Sequence, residues 1–232
     1  METTTESRAG EQRWGVGVQG AGEQFALKRL AILSTAARLF NEKSYHLTSL
    51  DQLARELNVT KPSLYHYVES KDDILLQILS EGMQQIDPAI DGAIRDGRTG
   101  LEKLHLFVCN YVPVMTSEFG KCLVMSGLEP LQPASREKLL PAYRRIDRGV
   151  RTMITEGIQD GSIGPCDPRM VAFTIFGALH AIPAWYRSDG ELTPEEIAEM
   201  QWTVFACGLK PSRAATGGPV SGTAGARARS AA

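Results

Sequence analysis

The chain has 232 residues, a formal net charge of −2 and a hydrophobic content of 43%. That length accommodates a small domain beside a larger one, and the apolar fraction supports a packed interior, which excludes a largely disordered chain. The near-neutral charge excludes a globally basic nucleic-acid binder, and four scattered cysteines (Cys109, Cys122, Cys166, Cys207) with no CxxC pair exclude a zinc ribbon or a disulfide-stapled secreted domain.

Residues 1–22 are polar and Gly/Thr/Glu-rich with no apolar leader core, and residues 211–232 are rich in Pro, Gly, Ala and Ser. Both read as disordered tails, and a cytoplasmic protein is expected. A literal GxGxxG at residues 15–20 has no strand before it and no strand after it, so dinucleotide binding is not expected. A first helix is predicted over 24–42, with Leu30, Leu33, Ala37 and Phe40 as its apolar stripe. Thr48, three residues before Asp51, is expected to cap a short second helix whose inner face is Leu50, Leu53, Ala54 and Leu57. Asn58 then stands where a left-handed residue usually ends a helix. Thr60 opens a third helix, with Lys61 and Pro62 in its first turn and Leu64 and Val68 facing inward. Ser70, three residues before Asp73, opens a fourth through Ile74, Leu75, Ile78 and Leu79. Two short helices joined by a three-residue turn match a helix-turn-helix, whose second helix enters the major groove of DNA. The outward set Lys61, Ser63, Tyr65, His66 and Tyr67 offers donors and flat rings without a carboxylate, as a phosphate-lined groove requires. Residues 24–71 carry seven basic and four acidic side chains, so the local charge is positive although the chain is not.

The stretch 29–75 resembles the N-terminal domain of the TetR/AcrR family of regulators. The matching pairs are Ala36-Ala37, Leu39-Phe40, Thr48-Ser49, Leu53-Ala54, Val59-Thr60, Leu64-Tyr65 and Ser70-Lys71. The resemblance implies base or backbone contacts from Lys61 and Tyr65, and phosphate contacts from Thr48 and Lys71. With Thr60, Ser63, His66 and Tyr67 these form the candidate DNA-binding set. Three departures stand out. Ser44 and Asn58 replace glycines at two turns, Tyr67 replaces a histidine, and Asp51 stands where arginine is frequent. The implied fold is all-α, an N-terminal three-helix helix-turn-helix domain (23–71) followed by a helical bundle (72–210) for ligand binding and dimerisation. The implied partner is palindromic double-stranded operator DNA read by a homodimer.

In the remainder, a helix over 101–117 carries Leu104, Phe107, Val108, Tyr111 and Met115, with Pro113 inside it and Pro88 interrupting the helix before. Kinked helices pack imperfectly and open cavities. A later helix through Ile146, Val150, Met153 and Ile154 ends at Gly161, Asp167-Pro168 opens an uncharged one, and Thr193 to Glu196 is a capping box for the last. The uncharged run 170–186 has seventeen residues and contains Thr174, His180 and Pro183, so a buried interface helix is expected instead of a membrane span. The last two helices are the expected dimer surface, through Phe173, Phe176, Leu179, Ile182, Trp185, Trp202 and Phe205 with the small Gly177, Ala178, Ala181 and Ala206. Phe107, Tyr111, Met115, Met125, Met153, Phe176 and His180 are the candidate lining of an apolar ligand pocket. The segment from Trp185 to Ile197 resembles members that control lipid, steroid or aromatic-acid catabolism, which implies a small hydrophobic effector of the acyl-CoA type. His105 and Cys109 lie four apart on one helix, with Cys122 as the third group able to approach. Ordinary core packing is the expectation there, with no metal and no cofactor. No nucleophile context is present, so an enzyme is not expected. The rival to a DNA-binding repressor is a small-molecule or metal/thiol-sensing protein that does not act through DNA.

Overall fold

The computed structural model describes residues 21–210, and the GxGxxG and both expected tails lie outside them, apart from residues 21 and 22 at the edge of the first. Among the described residues the chain is all helical: α1 (Ala21–Lys43), α2 (Leu50–Glu56), α3 (Lys61–Leu64), α4 (Lys71–Asp96), α5 (Gly100–Thr116), α6 (Glu118–Ser126), α7 (Pro133–Gln159), α8 (Pro168–Trp185) and α9 (Pro194–Leu209). None of these helices is long and apolar enough to cross a membrane.

Local chemistry explains most of the helix starts. Ser49, Thr60, Ser70, Thr99, Ser117, Asp167 and Thr193 each accept a hydrogen bond from a backbone amide in the first turn of the helix they precede. Each such cap contributes about 1 kcal/mol. The cap of α2 is Ser49, not Thr48 as the spacing suggests. Thr48 is buried, and its hydroxyl donates to the carbonyls of Ser44 and Leu39, fixing the turn between α1 and α2. The stripe of α1 is also shifted. Leu30 is exposed, and Ile32, Leu33, Ala36, Ala37, Leu39 and Phe40 are the buried set.

The α1–α2 and α2–α3 turns contain the only described non-glycine residues in the left-handed region, Ser44 at φ 69° and Asn58 at φ 53°. α4 continues through Pro88 to Asp96, in place of the expected interruption. Ile86, Ala89 and Ile90 are buried on either side of the proline, and their packing holds the helix together across the missing amide.

α5 runs through the middle of the bundle, packed against α4, α7, α8 and α9, while α6 bridges α1 and α4. α5 begins in very close approach to α7. A Cβ at Gly100 would lie 2.0 Å from the backbone nitrogen of Gly157, so only glycine fits. Asp160 at the end of α7 accepts from the Gly100 amide at 2.7 Å and from the Ser162 amide at 2.8 Å, and the Ser162 side chain first, then these amides, hold its carboxyl below the usual range.

Candidate nucleic-acid interface and ligand cavity

α3 is four residues long, shorter than the expected helix through Val68, and continues into a turn through Tyr65, His66 and Tyr67. Leu64 and Val68 are buried beneath it, which forces the intervening side chains outward. Lys61, Tyr65 and His66 are exposed, and Ser63 is half-buried with its hydroxyl 2.8 Å from that of Thr60. Two expected outward groups are packed instead. The Tyr67 ring is half-buried and stacks on Phe25 at 4.8 Å, and the Lys71 ammonium sits 4.2 Å above the Tyr45 ring. Burial also lowers the Lys71 pKa. Thr48 presents no free hydroxyl to a phosphate, because turn carbonyls take it up. Asp51 has a consequence that was not legible in the sequence: its carboxylate holds the Lys61 ammonium at 3.0 Å. Both groups are exposed, so the pair is weak and a stronger anion can displace it.

A cavity of about 320 Å³ lies among α4, α5, α6, α7 and α8, lined by Met83, Ile86, Tyr111, Leu123, Val124, Gly127, Leu128, Tyr143, Ile146, Asp147, Phe173, Phe176 and His180. Of the seven expected lining residues it contains Tyr111, Phe176 and His180. Phe107 and Met115 are fully buried in the core, Met153 is buried on the α7 face toward α4, and Met125 is exposed. Apolar character alone did not separate these from true lining residues, because a packed core and a cavity wall use the same side chains. Sequence reading missed Tyr143, Ile146 and Asp147. Tyr143 precedes Ile146 by three residues and Asp147 by four on α7, and extending the Ile146 stripe one turn toward its N-terminus would have found the tyrosine.

Polar groups in this wall are few and specific. The Tyr111 hydroxyl and His180 Nε2 are hydrogen-bonded at 2.7 Å. Burial raises the pKa of Tyr111, pushes that of Tyr143 up to about 12, and lowers that of His180, so all three are neutral near pH 7. One side of His180 is open at the rim, yet the atoms packed around its ring remove enough water to disfavour the imidazolium. The mouth is basic. Asp147 lines both the cavity and an adjoining groove with Arg144, Arg148 and Arg151, and the Phe173 ring lies under the guanidiniums of Arg151 and Arg169 at 5.6 and 5.4 Å. The Arg151 Nε is buried without a hydrogen-bond partner among the described residues.

On the outer face of α8, Met170, Phe173, Gly177, Ala181 and Trp185 form an exposed stripe, and Met200 and Val204 are exposed on α9. Five residues expected in an intersubunit surface are instead covered within the chain. Leu179, Ile182, Trp202 and Ala206 are buried, and Phe176 lines the cavity. A helix two-faced in this way buries one set of side chains against its own core and leaves a second for a partner. His105 and Cys109 find their third neighbour in Glu199 of α9. Cys122 is buried on α6, with its sulfur 3.5 Å from the Ser126 hydroxyl.

Comparison with known proteins bears on the chain nearly from end to end of its described part. Residues 32–78 match the family described as bacterial regulatory proteins, tetR family, and residues 97–209 match the tetracyclin repressor-like C-terminal domain. The chain belongs to the TetR family. The "Fatty acid metabolism regulator protein" of Bacillus subtilis (strain 168) is 27% identical over 170 residues, covering 70% of this chain and 85% of that protein. The TetR regulator PfmR of Thermus thermophilus superposes with a TM-score of 0.70 at 27% identity, covering 76% of this chain and 97% of that one. AibR, solved in complex with isovaleryl coenzyme A and operator DNA, superposes with a TM-score of 0.69 at 26% identity, with the same two coverages. As a TetR-family protein the chain is a ligand-responsive DNA-binding transcription regulator that dimerises. A sensor that does not act through DNA is not favoured.

Proposed function

We propose that the chain is a repressor that leaves its operator when a coenzyme A thioester with an apolar acyl group occupies the cavity. On this reading residues 23–71 read DNA, residues 72–210 sense the ligand and dimerise, and the work is done in the cytoplasm. Tyr65, His66, Lys61, Ser63 and Thr60 meet the groove, with Lys71 and the Tyr67 hydroxyl near its phosphate edge. The exposed faces of α8 and α9 join two copies, which sets two α3 segments about one DNA turn apart on a palindrome.

The observation that carries the effector is a change of polarity: a cavity of methyls, methylenes and neutral rings, bordered at Asp147 by a groove with Arg144, Arg148 and Arg151, of which Arg151 pairs with Asp147 at 2.9 Å. A volume of about 320 Å³ suits an acyl chain and leaves the nucleotide phosphates outside, where guanidiniums hold them bidentately. The similar fatty acid metabolism regulator and AibR, solved with isovaleryl coenzyme A, agree with that chemistry. The wall also has a route to both ends of the molecule. Phe173 and His180 stand between the cavity and the outer face of α8. α6 contributes Leu123 and Val124 to the cavity and packs on α1, where the Asn41 amide donates to the Glu118 carbonyl at 3.0 Å. A ligand that binds better when α6 and α8 move apart lowers DNA affinity, and DNA lowers ligand affinity by the same factor.

The test is selection of bound duplexes from a randomised pool, followed by anisotropy titration with acyl-CoA thioesters of graded chain length, free CoA and free acids. A palindrome is expected, with at least tenfold weaker binding in the presence of an acyl-CoA and no effect of free CoA. Arg148→Ala is expected to blunt that response, and Tyr65→Ala to weaken operator binding by ~1–3 kcal/mol with the dimer intact. Failure to enrich any duplex overturns the DNA reading. An enriched duplex that ignores every acyl-CoA overturns the effector alone.

A further inference from the structure

His105 and Cys109 stand one turn apart on α5, and Glu199 reaches toward them from α9. The His105 Nε2 is 3.2 Å from the Glu199 carboxylate, the Cys109 sulfur is 3.4 Å from it, and all three donor atoms lie within 4.8 Å of one another. We propose that these three side chains form a binding site for a single divalent cation of the zinc class, with water in the fourth position.

The spacing suits that ion. Tetrahedral zinc with bonds of about 2.0 Å to nitrogen and oxygen and about 2.3 Å to sulfur separates its ligands by roughly 3.3–3.5 Å. The two separations to Glu199 already have that value, and the third, between His105 Nε2 and Cys109 Sγ, is within 4.8 Å and closes with a rotamer adjustment of those two side chains one turn apart on α5. The donor set of imidazole, thiolate and carboxylate is intermediate in softness, which selects zinc over magnesium or calcium, whose sites are built of oxygen. Three protein ligands with an open position make an exchangeable site rather than a closed structural one. The Trp202 ring stacks on His105 at 4.8 Å and 18°, which holds the imidazole with Nε2 toward Glu199. Without a cation Cys109 is a protonated thiol, because burial and the Glu199 carboxylate push its pKa up to about 12. Binding exchanges the S–H bond for an S–metal bond, and the proton leaves to solvent.

The site would pin α9 to α5. Glu199 is followed directly by Met200 on the exposed face of α9, and Tyr111, two residues beyond Cys109, lies on the opposite side of α5 in the cavity wall. Cation occupancy therefore fixes the helix that carries part of the dimer-forming face against the helix that lines the ligand cavity. This inference does not depend on the identity of the effector, and it fails or stands apart from DNA binding.

The experiment is a Co²⁺ titration of the full chain, read by absorption. One equivalent is expected to produce visible d–d bands and a near-ultraviolet thiolate-to-cobalt charge-transfer band, both displaced by Zn²⁺. Cys109→Ser is expected to abolish the charge-transfer band, and His105→Gln and Glu199→Gln each to weaken binding at least tenfold. The double variant Cys166→Ser/Cys207→Ser, which removes the two exposed thiols, is expected to bind like the parent. Thermal melts without metal show whether each variant is folded, and a zinc-dependent rise in Tm is expected only where the triad is intact. The proposal is overturned if stoichiometric Co²⁺ gives no charge-transfer band, if the band survives Cys109→Ser, or if it disappears in the Cys166/Cys207 double variant.

Discussion

The region before Lys71 and the region after it are built by different means. α2 and α3 have seven and four residues, too short to persist alone, and they depend on local devices. Ser49 and Thr60 cap them, Asn58 reverses the chain between them, Leu53, Ala54, Leu64 and Val68 are buried in the core, and α2 packs on α1 and α3. α4, α5 and α7 run to 26, 17 and 27 residues and depend on contacts distant in sequence, such as Gly100 against Gly157. Local devices fix one surface, and the reading head presents a single arrangement of Lys61, Tyr65 and His66. Distant contacts leave room for mismatch, and the cavity forms there.

The sharpest challenge to that contrast is Gly100→Ala. The added methyl would meet the Gly157 backbone and the Met153 carbonyl, neither of which can rotate away. α5 would have to separate from α7, and a loss of ~3 kcal/mol in chemical denaturation is expected. A stability unchanged by the substitution would mean that the α5–α7 approach is not a fixed point of the bundle.

Glycine should act in the opposite direction at the two reading-head turns. Ser44 and Asn58 hold left-handed backbone that glycine adopts without strain, so Ser44→Gly and Asn58→Gly are each expected to raise stability. The gain is up to ~1 kcal/mol after the entropy that glycine adds to the unfolded chain, with Ser44 gaining more because serine tolerates this region less well than asparagine. Loss of stability on either change would show that a side-chain contact, not the backbone, decides the residue there.

The smallest expected effect concerns His180. Its folded pKa lies below the ordinary 6.5, so the unfolded chain binds the proton more tightly. Its cost is absent above that value and grows as the pH falls through it toward the folded pKa. His180→Gln is expected to flatten the acid side of the stability profile between pH 7 and 5, measured against the parent chain. An identical slope in both proteins would place the imidazole in water rather than beside Tyr111.

The reading head was the more legible half. Its caps at Thr60 and Ser70 and its turn at Asn58 were visible in one dimension, because each involves residues within four positions of one another. What was not visible there was tertiary. The Thr48 hydroxyl turns inward to the Ser44 and Leu39 carbonyls, the Tyr67 ring stacks on Phe25, and Lys71 lies over Tyr45. In the bundle, the apolar side chains of α5 could be placed on a helix but not assigned between core and cavity, which is why Phe107 and Met115 were expected beside Tyr111.

By itself, then, the order of residues determined most of the helices, several of their starts, the family of the fold and the outward chemistry of α3. These follow from hydrogen bonds and periodicities that close within a turn or two of chain. Only the tertiary structure decided that Asp51 holds Lys61, that Tyr143 and Asp147 join Tyr111 and His180 around one cavity, and that Glu199 completes the pair of His105 and Cys109. Each of those meetings brings together different helices, some of them from distant parts of the chain, and no repeat or spacing along the chain records the angle at which two helices cross.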